Sequence, residues 1–470
     1  MSLPLGNFSA GDQEALTKIV GSSYVFSDAD HLTEYGRDWT RSVAPNAAVV
    51  VQPASTKEVA EIMRYCHAKN LAVMPSGGRT GLAGGAVAVQ REVVLSLDRL
   101  NKIEKIDAVG MTIEVQAGVT CQAVQEAAAN AGMFFALDLA SKGSCQIGGN
   151  LATNAGGLKL IRYGGAREQV LGIEVVLADG TILDMNYSLR KNNTGPDLKQ
   201  LFIGSEGILG IITKAVLRLV PRPLDLQISC MAVRSFGDIP KFVKLCNQQS
   251  ISPTALEFFS DEALDIVLKY NSHLRSPFKE KTAFYLLLEL DSAGQADTMM
   301  QPILEQAMEQ DLIADAVISS NSAQFKELWS LRENISESIS NCGHVRKNDI
   351  SLPIDCLDRF VAQLEEVMGR SPKEIQMILF GHIGDGNLHI NYIGPSNMPK
   401  PEFSTVTRKI EEEIFALLPG YRGSISAEHG VGLLKKADLK YSRSPTEIAW
   451  MKQLKQLFDP KGILNPSKVL

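Results

Sequence analysis

The sequence predicts an α+β protein with two or three domains, and three of its features support this class. Hydrophobic residues make up 45% of the 470-residue chain, which is enough to bury a large core. In residues 1–222, short apolar strands alternate with amphipathic helices and glycine-rich loops. Beyond the Pro-Arg-Pro sequence at 221–223, strands alternate with helices, which favours an antiparallel sheet covered by helices.

The first elements form a strand–helix–strand unit. The apolar stretch AAVVVQPAS at 47–55 is predicted to be a strand, and Ser55 with Glu58 is predicted to form a helix-starting capping box. Apolar residues at helical spacing follow, and LAVMP at 71–75 is the next strand. Further strands are predicted in VVLSLD, MTIEVQAG, EVVLADG and ITKAVLRLVP, with a helix in CQAVQEAAANAG.

Charge and cysteine usage exclude several classes of protein. The formal net charge is -6 and the sequence pI is about 5.8, which argues against nucleic acid or an anionic membrane as the main partner. The N-terminus shows no basic segment followed by an apolar run, and no stretch of about 18 apolar residues predicts a membrane span. Seven scattered cysteines without a C-x-x-C motif favour a reduced, cytoplasmic protein.

Two of the seven histidines flank an Asp-Gly turn in FGHIGDGNLHINY, residues 380–392. With Asp385 and Gly386 at a two-residue turn, His382 is expected to pair directly with His389, their Cβ atoms about 5 Å apart. Strand alternation puts Asn391 on the same face. Two imidazoles at that separation can bind one metal ion. The alternative is a pair of structural, hydrogen-bonded histidines, and a third ligand is needed to decide.

Four glycine clusters lie in the first 215 residues. They are Gly77, Gly78, Gly81, Gly84 and Gly85; Gly143, Gly148 and Gly149; Gly156, Gly157, Gly164 and Gly165; and Gly204, Gly207 and Gly210. Glycine lets the backbone approach a ligand and direct N–H groups at an anion. Neither a P-loop motif nor a complete G-x-G-x-x-G fingerprint is present. Four clusters interleaved with hydroxyl and amide side chains predict an extended site for a large ligand that carries a pyrophosphate.

Three long motifs resemble the FAD-binding domain of the vanillyl-alcohol oxidase/para-cresol methylhydroxylase (PCMH) type. They are PSGGRTGLAGG, KGSCQIGGNLATNAGGLKLIRYGGAREQVLGIEVVLADG and TGPDLKQLFIGSEGILGIITKAVLRL. FGHIGDGNLHINY, SISAEHGVG and FDPKGILNPSKVL resemble the D-2-hydroxy acid dehydrogenases that oxidise D-lactate, glycolate or D-2-hydroxyglutarate. The resemblance implies a two-subdomain FAD-binding domain at 1–222, an antiparallel-sheet substrate (cap) domain at 223–419 and a small helical C-terminal segment at 420–470 that returns to the flavin.

The resemblance also implies the residues that bind FAD. Residues of two loops wrap the pyrophosphate, Gly165 and Ile212 lie along the cofactor, and Asn465 returns to the flavin ring. The loop residues are Pro75, Ser76, Gly77, Gly78, Arg79, Thr80, Gly81, Leu82 and Gly85, together with Ser144, Gly148, Gly149, Asn150, Thr153, Asn154 and Gly157. Some relatives hold flavin covalently through a histidine in the first loop. This loop has no histidine, so non-covalent FAD is expected.

The third metal ligand is expected in Ser-Ala-Glu-His-Gly at 426–430. In the resembling family the residues that match His382, His389 and Glu428 bind a metal ion, usually zinc, and manganese, iron and cobalt stay open here. Two histidines and a carboxylate leave coordination positions for substrate. The metal is expected to lower the pKa of the substrate hydroxyl while hydride leaves C2 for flavin N5. His429 is the expected base; its alternative role is to position the substrate carboxylate.

Substrate preference is expected to depend on a helix and a following lysine. The segment 328–340 is predicted to be one helix, with Arg332 and Ser336 one turn apart on one face. In the D-2-hydroxyglutarate branch an Arg-x3-Thr helix followed by a Lys binds the distal carboxylate, and Ser336 and Lys347 match that pattern with Ser in place of Thr. Asn391 is a further expected substrate contact. The alternative is that Arg332 and Lys347 are ordinary surface charges.

The favoured activity is therefore oxidation of a D-2-hydroxy acid, D-2-hydroxyglutarate or D-malate, with D-lactate and glycolate open. Two other classes are considered: a metal-dependent hydrolase, which leaves the glycine-rich half unexplained, and a flavin-binding subunit without its own turnover, against which the intact His/His/Glu/His set argues. The electron acceptor, whether electron-transfer flavoprotein, quinone, cytochrome or oxygen, leaves no motif. A homodimer is one option for the oligomeric state.

Overall fold

The computed structural model describes residues 5–291 and 296–470, which form two compact units. The first unit comprises Met1–Gly157, Gly164–Arg222 and Glu428–Leu470, and the second comprises Leu158–Tyr163 and Pro223–Ala427. The three-part division expected from the sequence stays a prediction. The α+β class itself is confirmed, because each unit combines helices with largely antiparallel sheets.

Strands β1–β11 belong to the first unit. They are β1 Val25–Phe26, β2 Val49–Val51, β3 Val73–Ser76, β4 Val93–Ser96, β5 Ile103–Asp107, β6 Thr112–Gln116, β7 Met133–Phe134, β8 Val170–Val176, β9 Ile182–Met185, β10 Ile211–Arg218 and β11 Val220–Pro221. One sheet has the order β1-β2-β4-β3, with β2, β4 and β3 parallel. A second, antiparallel sheet has the order β5-β6-β10-β8-β9, and β7 pairs with β11. The unit therefore contains two subdomain-sized sheets.

The helices of the first unit cover these sheets. They are Ala10–Val20, Ala29–Tyr35, Thr56–Lys69, Cys121–Asn130, Ile147–Ala152, Ala166–Gln169, Lys199–Phe202 and Pro445–Phe458, with short 3₁₀ helices at Ser22–Tyr24 and Lys436–Tyr441. Helix Thr56–Lys69 begins as predicted, since the Ser55 side chain accepts from Glu58 N at 3.2 Å. The Glu58 carboxylate completes the start by accepting from Ala54 N rather than from Ser55. The predicted apolar stripe of this helix lies in a core shared with β2 and β3.

Within its described residues, the second unit is built on one antiparallel sheet of seven strands. They are β12 Leu226–Val233, β13 Ala255–Ser260, β14 Phe284–Asp291, β15 Asp315–Ile318, β16 His344–Ser351, β17 Gln376–His382 and β18 Asn387–Gly394. Their order in the sheet is β15-β12-β14-β13-β17-β18-β16. The sheet places β13, β17, β18 and β16 side by side. These four strands carry the polar residues Glu257, His382, His389 and Asp349.

Helices flank this sheet. They are Leu160–Tyr163, Asp238–Gln248, Asp261–Tyr270, Ala296–Glu309, Ser322–Glu333, Ile335–Ser340, Leu357–Arg370 and Lys400–Tyr421, with a 3₁₀ turn at Ile354–Cys356. The core between helices and sheet includes Phe259, Leu287, Trp329 and Phe380, all largely buried. None of the helices in the described part of the chain is both long and apolar enough to cross a lipid bilayer.

The hairpin of β17 and β18 differs from the prediction in its register. Phe380, and not His382, is the residue paired with His389. The turn spans residues 383–386 and has positive φ only at Gly386 (+80°), whereas the predicted two-residue turn needs positive φ at two positions. The slip is two residues, and side chains alternate with a period of two. His382 and His389 therefore still lie on the same face of the sheet.

Candidate active site

The first glycine-rich loop, residues 75–85, packs directly against the second. A Cβ atom on Gly78 would lie 2.1 Å from the carbonyl oxygen of Ser144, so glycine is required for this close approach. A Cβ atom on Gly77 would lie 3.8 Å from the Cα atom of Gly149. The two loops expected to hold the FAD pyrophosphate thus form one continuous backbone surface within the first unit.

This surface fits a large polar ligand. At Gly81 and Gly149 an added Cβ would meet no protein atom within 4 Å, so a ligand can approach both backbones. Two buried acceptor atoms, Gln146 Oε1 and Asn465 Oδ1, have no hydrogen-bond partner within residues 5–291 and 296–470. Buried polar atoms are nearly always paired, so these two are suited to the N–H and O–H groups of a bound ligand. FAD offers such groups together with a pyrophosphate.

Asn465 belongs to the C-terminal tail and lies beside the first glycine loop. Its backbone N–H donates to Val73 O at 2.8 Å, and Leu464 forms a parallel bridge with Val73. Its side-chain Nδ2 donates to Gly85 O at 3.0 Å and to Glu206 O at 2.8 Å. The tail is therefore tied to the loop that the sequence assigned to FAD.

The remaining residues expected to contact FAD also lie in the first unit. Pro75 and Ser76 end β3; Thr80 and Leu82 lie in the first loop; Gly148 and Asn150 lie in helix Ile147–Ala152; Thr153, Asn154 and Gly157 follow it; Gly165 precedes helix Ala166–Gln169; and Ile212 lies in β10. Arg79 is engaged with protein groups, because its Nη1 donates to Gly77 O at 2.9 Å and its guanidinium lies 4.5 Å from the ring centroid of Tyr35.

The second unit carries the histidine pair at the hairpin end of β17 and β18. The ring centroids of His382 and His389 are 5.3 Å apart, and the rings are nearly perpendicular. Each histidine has a buried carboxylate opposite it in the strand register: Glu257 faces His382, and Asp349 faces His389. The pair therefore lies in a polar patch of the sheet.

The segment 424–427 is held along β16 and leads to the third predicted ligand. Ser351 and Ser424 exchange two backbone hydrogen bonds of 3.1 and 2.8 Å, and Ala427 N donates to Asp349 Oδ2 at 3.1 Å. Ala427 ends the second unit, and Glu428 is the next residue in the chain.

The three predicted metal ligands come together. One ligand atom from each of His382, His389 and Glu428 lies within 4.8 Å of the others. Two imidazoles and a carboxylate form a donor set that suits zinc and related divalent ions.

A second group of possible ligands consists of Asp349, His389 and His429. Asp349 already accepts hydrogen bonds from Asn387 Nδ2 at 2.8 Å and from Ala427 N at 3.1 Å. These bonds suit it to holding the segment 424–427.

Glu257 contacts His382, a predicted metal ligand, and Arg332, a predicted substrate-binding residue. Its Oε1 lies 2.7 Å from His382 Nδ1, and its Oε2 lies 2.8 Å from Arg332 Nη2. The Arg332 guanidinium also lies 4.7 Å from the ring centroid of Phe380. Arg332 is only 6% exposed, so the alternative that it is an ordinary surface charge is wrong.

Lys347 is a partly buried cation with neutral partners. Its Nζ donates to Ser336 Oγ at 2.9 Å, to Ser336 O at 3.1 Å and to Ser340 Oγ at 3.0 Å. Burial lowers the pKa of the Lys347 ammonium group below its usual value. Within the described residues no carboxylate forms an ion pair with it, so an anionic ligand would compensate its charge.

The single helix predicted for residues 328–340 is wrong. The helix ends at Glu333, a turn follows at Asn334, and a second helix runs from Ile335 to Ser340. Asparagine competes with the helix by bonding to nearby backbone, and the sequence that follows it is polar and rich in serine. Arg332 and Ser336 therefore lie on different helices; the first is buried and the second is exposed.

Asn391 lies on β18, two residues after His389 and on the same face of the sheet. It pairs in register with Lys347 on β16, and it is 2% exposed. Its Nδ2 atom has no hydrogen-bond partner in the described part of the chain. The same is true of the buried Arg332 Nε. Two unsatisfied donors in a polar patch fit an acceptor-rich ligand such as a carboxylate.

Sequence reasoning did not identify Glu257, Asp349 or Glu206. Glu206 accepts backbone hydrogen bonds from Val431 and Gly432, at 2.7 and 2.9 Å, and so anchors the segment that follows His429 within the first unit. Burial raises the pKa of Glu206, and these two N–H groups oppose the rise. An acidic residue inside an apolar strand, as in ALEFFS, is a signal that would have pointed to Glu257.

Comparisons with known proteins match both units. Residues 47–186 match the family model described as "FAD binding domain", and residues 225–469 match "FAD linked oxidases, C-terminal domain". The chain is 41% identical to a D-2-hydroxyglutarate dehydrogenase of Stutzerimonas stutzeri (strain A1501), over 97% of this chain and 98% of that protein. It is 41% identical to the mitochondrial D-2-hydroxyglutarate dehydrogenase of Bos taurus, over 100% of this chain and 85% of that protein.

Solved structures share the fold. p-Cresol methylhydroxylase with substrate bound aligns with a TM-score of 0.79 at 17% identity, covering 99% of this chain and 98% of that chain. An alkyldihydroxyacetonephosphate synthase aligns with a TM-score of 0.75 at 18% identity, covering 99% and 86%. The fold is of the PCMH type, and with the glycine loops it defines an FAD-binding oxidoreductase. The chain belongs to the family of FAD-linked oxidases.

The close approach of the two glycine loops predicts the effect of a single methyl group. We expect Gly78→Ala to weaken FAD binding roughly 5- to 150-fold, since overpacking of this kind costs about 1–3 kcal/mol. The ratio of flavin to protein absorbance after purification, and titration of the apoprotein with FAD, measure this. Gly369→Ala in helix Leu357–Arg370 is the control, because its added methyl meets no atom within 4 Å. Equal FAD affinity in both variants would contradict the prediction.

Proposed function

We propose that this protein is a D-2-hydroxyglutarate dehydrogenase, which oxidises the 2-hydroxy acid to the 2-oxo acid and reduces FAD. The observation that carries the proposal is the group of His382, His389 and Glu428, with the unpaired donor of Asn391 on the same sheet face as the histidines. Relatives that cover nearly the whole chain at 41% identity bear this name, which supports the choice of substrate.

The charges near the group favour a substrate with two carboxylates. The Arg332 charge is balanced by Glu257, yet its Nε keeps a donor without a partner. Lys347 has only neutral partners. A distal carboxylate bound at Lys347 would compensate this charge through charge-assisted hydrogen bonds. D-Malate shares this feature, whereas D-lactate and glycolate lack the second carboxylate.

FAD and the metal ion would contribute different parts of the reaction. FAD would be held non-covalently by the first unit and would supply a hydride acceptor, N5, for the hydrogen on substrate C2. A divalent metal, expected to be zinc, would be held by His382, His389 and Glu428 and would lower the pKa of the substrate 2-hydroxyl.

The chain's own residues bind the substrate and move its proton. His429 accepts the proton of the 2-hydroxyl, because it follows Glu428 directly in the chain and imidazole is the side chain most often used as a general base. Asn391 Nδ2 donates a hydrogen bond to a substrate oxygen. An electron-transfer flavoprotein, a quinone or a cytochrome would reoxidise the flavin. That acceptor, the cytoplasmic location and a homodimer stay predictions.

The decisive experiment is anaerobic mixing of the FAD-loaded protein with a panel of hydroxy acids. We expect D-2-hydroxyglutarate to bleach the visible flavin band, D-malate to do so less efficiently, and L-enantiomers to have no effect. Treatment with a chelator should suppress bleaching, and added zinc should restore it. Bleaching by D-lactate or glycolate alone would favour the alternative substrates. No bleaching by any acid would contradict a dehydrogenase, and a chelator without effect would contradict the metal.

The proposed base predicts a specific loss in one variant. We expect His429→Ala to keep its FAD and to reduce the rate of flavin reduction by about 10²- to 10⁴-fold, the usual contribution of a positioned general base. Stopped-flow absorbance under anaerobic conditions measures the rate. His273→Ala, which removes an exposed histidine of the second unit, is the control. Near-normal reduction by the His429 variant would remove this residue from the role of base.

The role of Lys347 predicts a change in substrate preference. We expect Lys347→Ala to raise the KM for D-2-hydroxyglutarate by about 10- to 100-fold, because a charged hydrogen bond contributes about 1.5–3 kcal/mol. The KM for D-lactate should change much less. Steady-state rates with a dye acceptor give both values. Lys269→Ala, on helix Asp261–Tyr270 of the same unit, is the control. An equal effect on both substrates would contradict a distal-carboxylate site.

A further inference from the structure

We propose that Glu257 is a positioning residue that holds His382 in the tautomer and orientation required for metal binding. This inference rests on the proposed metal-dependent function and adds a residue that the ligand group does not contain. Glu257 would act through His382 and would not touch the metal or the substrate. Its second carboxylate oxygen at the same time balances the charge of Arg332.

Strand pairing sets the contact between Glu257 and His382. The two residues are direct neighbours in the register of β13 and β17, so their side chains project from the same face. Glu257 Oε1 lies 2.7 Å from His382 Nδ1, a normal hydrogen-bond length. Glu257 is 1% exposed and His382 is 7% exposed, so water does not compete strongly for this bond.

The hydrogen bond determines which imidazole nitrogen of His382 carries the proton. An ionised carboxylate only accepts hydrogen bonds, so the proton of neutral His382 lies on Nδ1. Nε2 then carries no proton, as a nitrogen that binds a metal must. A carboxylate behind a ligating histidine also makes the imidazole more basic and fixes its ring orientation.

Glu257 also has a buried cation beside it. Arg332 Nη2 lies 2.8 Å from Glu257 Oε2, and the arginine is itself 6% exposed. This contact is an ion pair without hydrogen-bond geometry, because Glu257 Oε2 makes no hydrogen bond within residues 5–291 and 296–470. A buried carboxylate without a cation would be costly, and Arg332 removes that cost.

The other histidine is held differently. Asp349 Oδ1 lies 3.8 Å from His389 Nδ1, which is too long for a hydrogen bond. Asp349 instead accepts from Asn387 and from the backbone of Ala427. Of these two carboxylate–histidine contacts, the one between Glu257 and His382 is the shorter, and the inference concerns this histidine.

Zinc affinity tests the inference without any measurement of turnover. Zinc chloride is titrated into the chelator-treated, FAD-loaded full chain in a calorimeter. We expect Glu257→Gln to weaken zinc binding by about 10- to 100-fold, the usual effect of losing such a carboxylate.

Glu289→Gln is the matched control. Glu289 is also 1% exposed in the same sheet, and its oxygens accept hydrogen bonds from Lys159, Trp329 and Thr254. It carries the same loss of a buried charge, and we expect unchanged zinc affinity.

Glu257→Gln leaves the charge of Arg332 unbalanced, which can disturb folding by itself. The double variant Glu257→Gln/Arg332→Gln removes both charges, and its flavin spectrum and thermal unfolding midpoint report on the fold. We expect the double variant to bind zinc as weakly as the single variant. Recovery of the unmodified protein's zinc affinity would attribute the loss to the unpaired arginine and would overturn the inference.

The unmodified protein separates the two proposals. If it binds zinc and Glu257→Gln binds zinc equally tightly, the positioning role of Glu257 is overturned and the metal-dependent function stands. If the unmodified protein binds no more zinc than His382→Ala, the proposed metal site fails, and the inference fails with it.

Discussion

The antiparallel register of β13, β17, β18 and β16 is the constraint on which the polar patch of the second unit depends. It aligns Glu257 with His382 and Asp349 with His389. Side chains on neighbouring antiparallel strands alternate together, so a residue's face is fixed once one pair is fixed. A slip of one residue would turn both histidines away from their carboxylates. The turn at residues 383–386 therefore matters less for its own contacts than for the register it permits.

Charge compensation distinguishes the two cations near this patch. Arg332 is buried beside Glu257, and an ion pair that lies out of water needs both members to remain stable. Lys347 has three oxygen partners, none of them charged, and burial lowers the pKa of its ammonium group. The charge of such a lysine can be compensated by a bound anion, whereas the charge of a lysine in an ion pair is already compensated. The two cations thus differ in charge balance: a carboxylate compensates the charge of Arg332, and only neutral oxygens surround the ammonium group of Lys347.

The sequence predicted local structure well where local chemistry determines it. The start of the helix at Ser55 follows from hydrogen bonds between neighbouring residues, and it is found as expected. The shared face of His382 and His389 was also predictable, since a period of two is preserved under a two-residue error. The exact pairing was not predictable, because the turn adopts positive φ only at Gly386. The break at Asn334 was missed for another reason, because helical spacing of apolar residues does not reveal a turn within the pattern.

The candidate site was predictable only for residues that stand out in the sequence by their type and spacing. Histidines and an acidic neighbour are unusual enough in the sequence to be chosen as ligands, and the resemblance to a family supplied Asn465. Glu257 was not visible, because it lies 125 residues from His382 and its meaning arises only when β13 and β17 pair. Supporting residues of this kind are chosen by the fold and not by a motif. Sequence analysis therefore identifies candidate ligand-binding residues more easily than the residues that position them. The positioning residues determine how precisely such a site is organised.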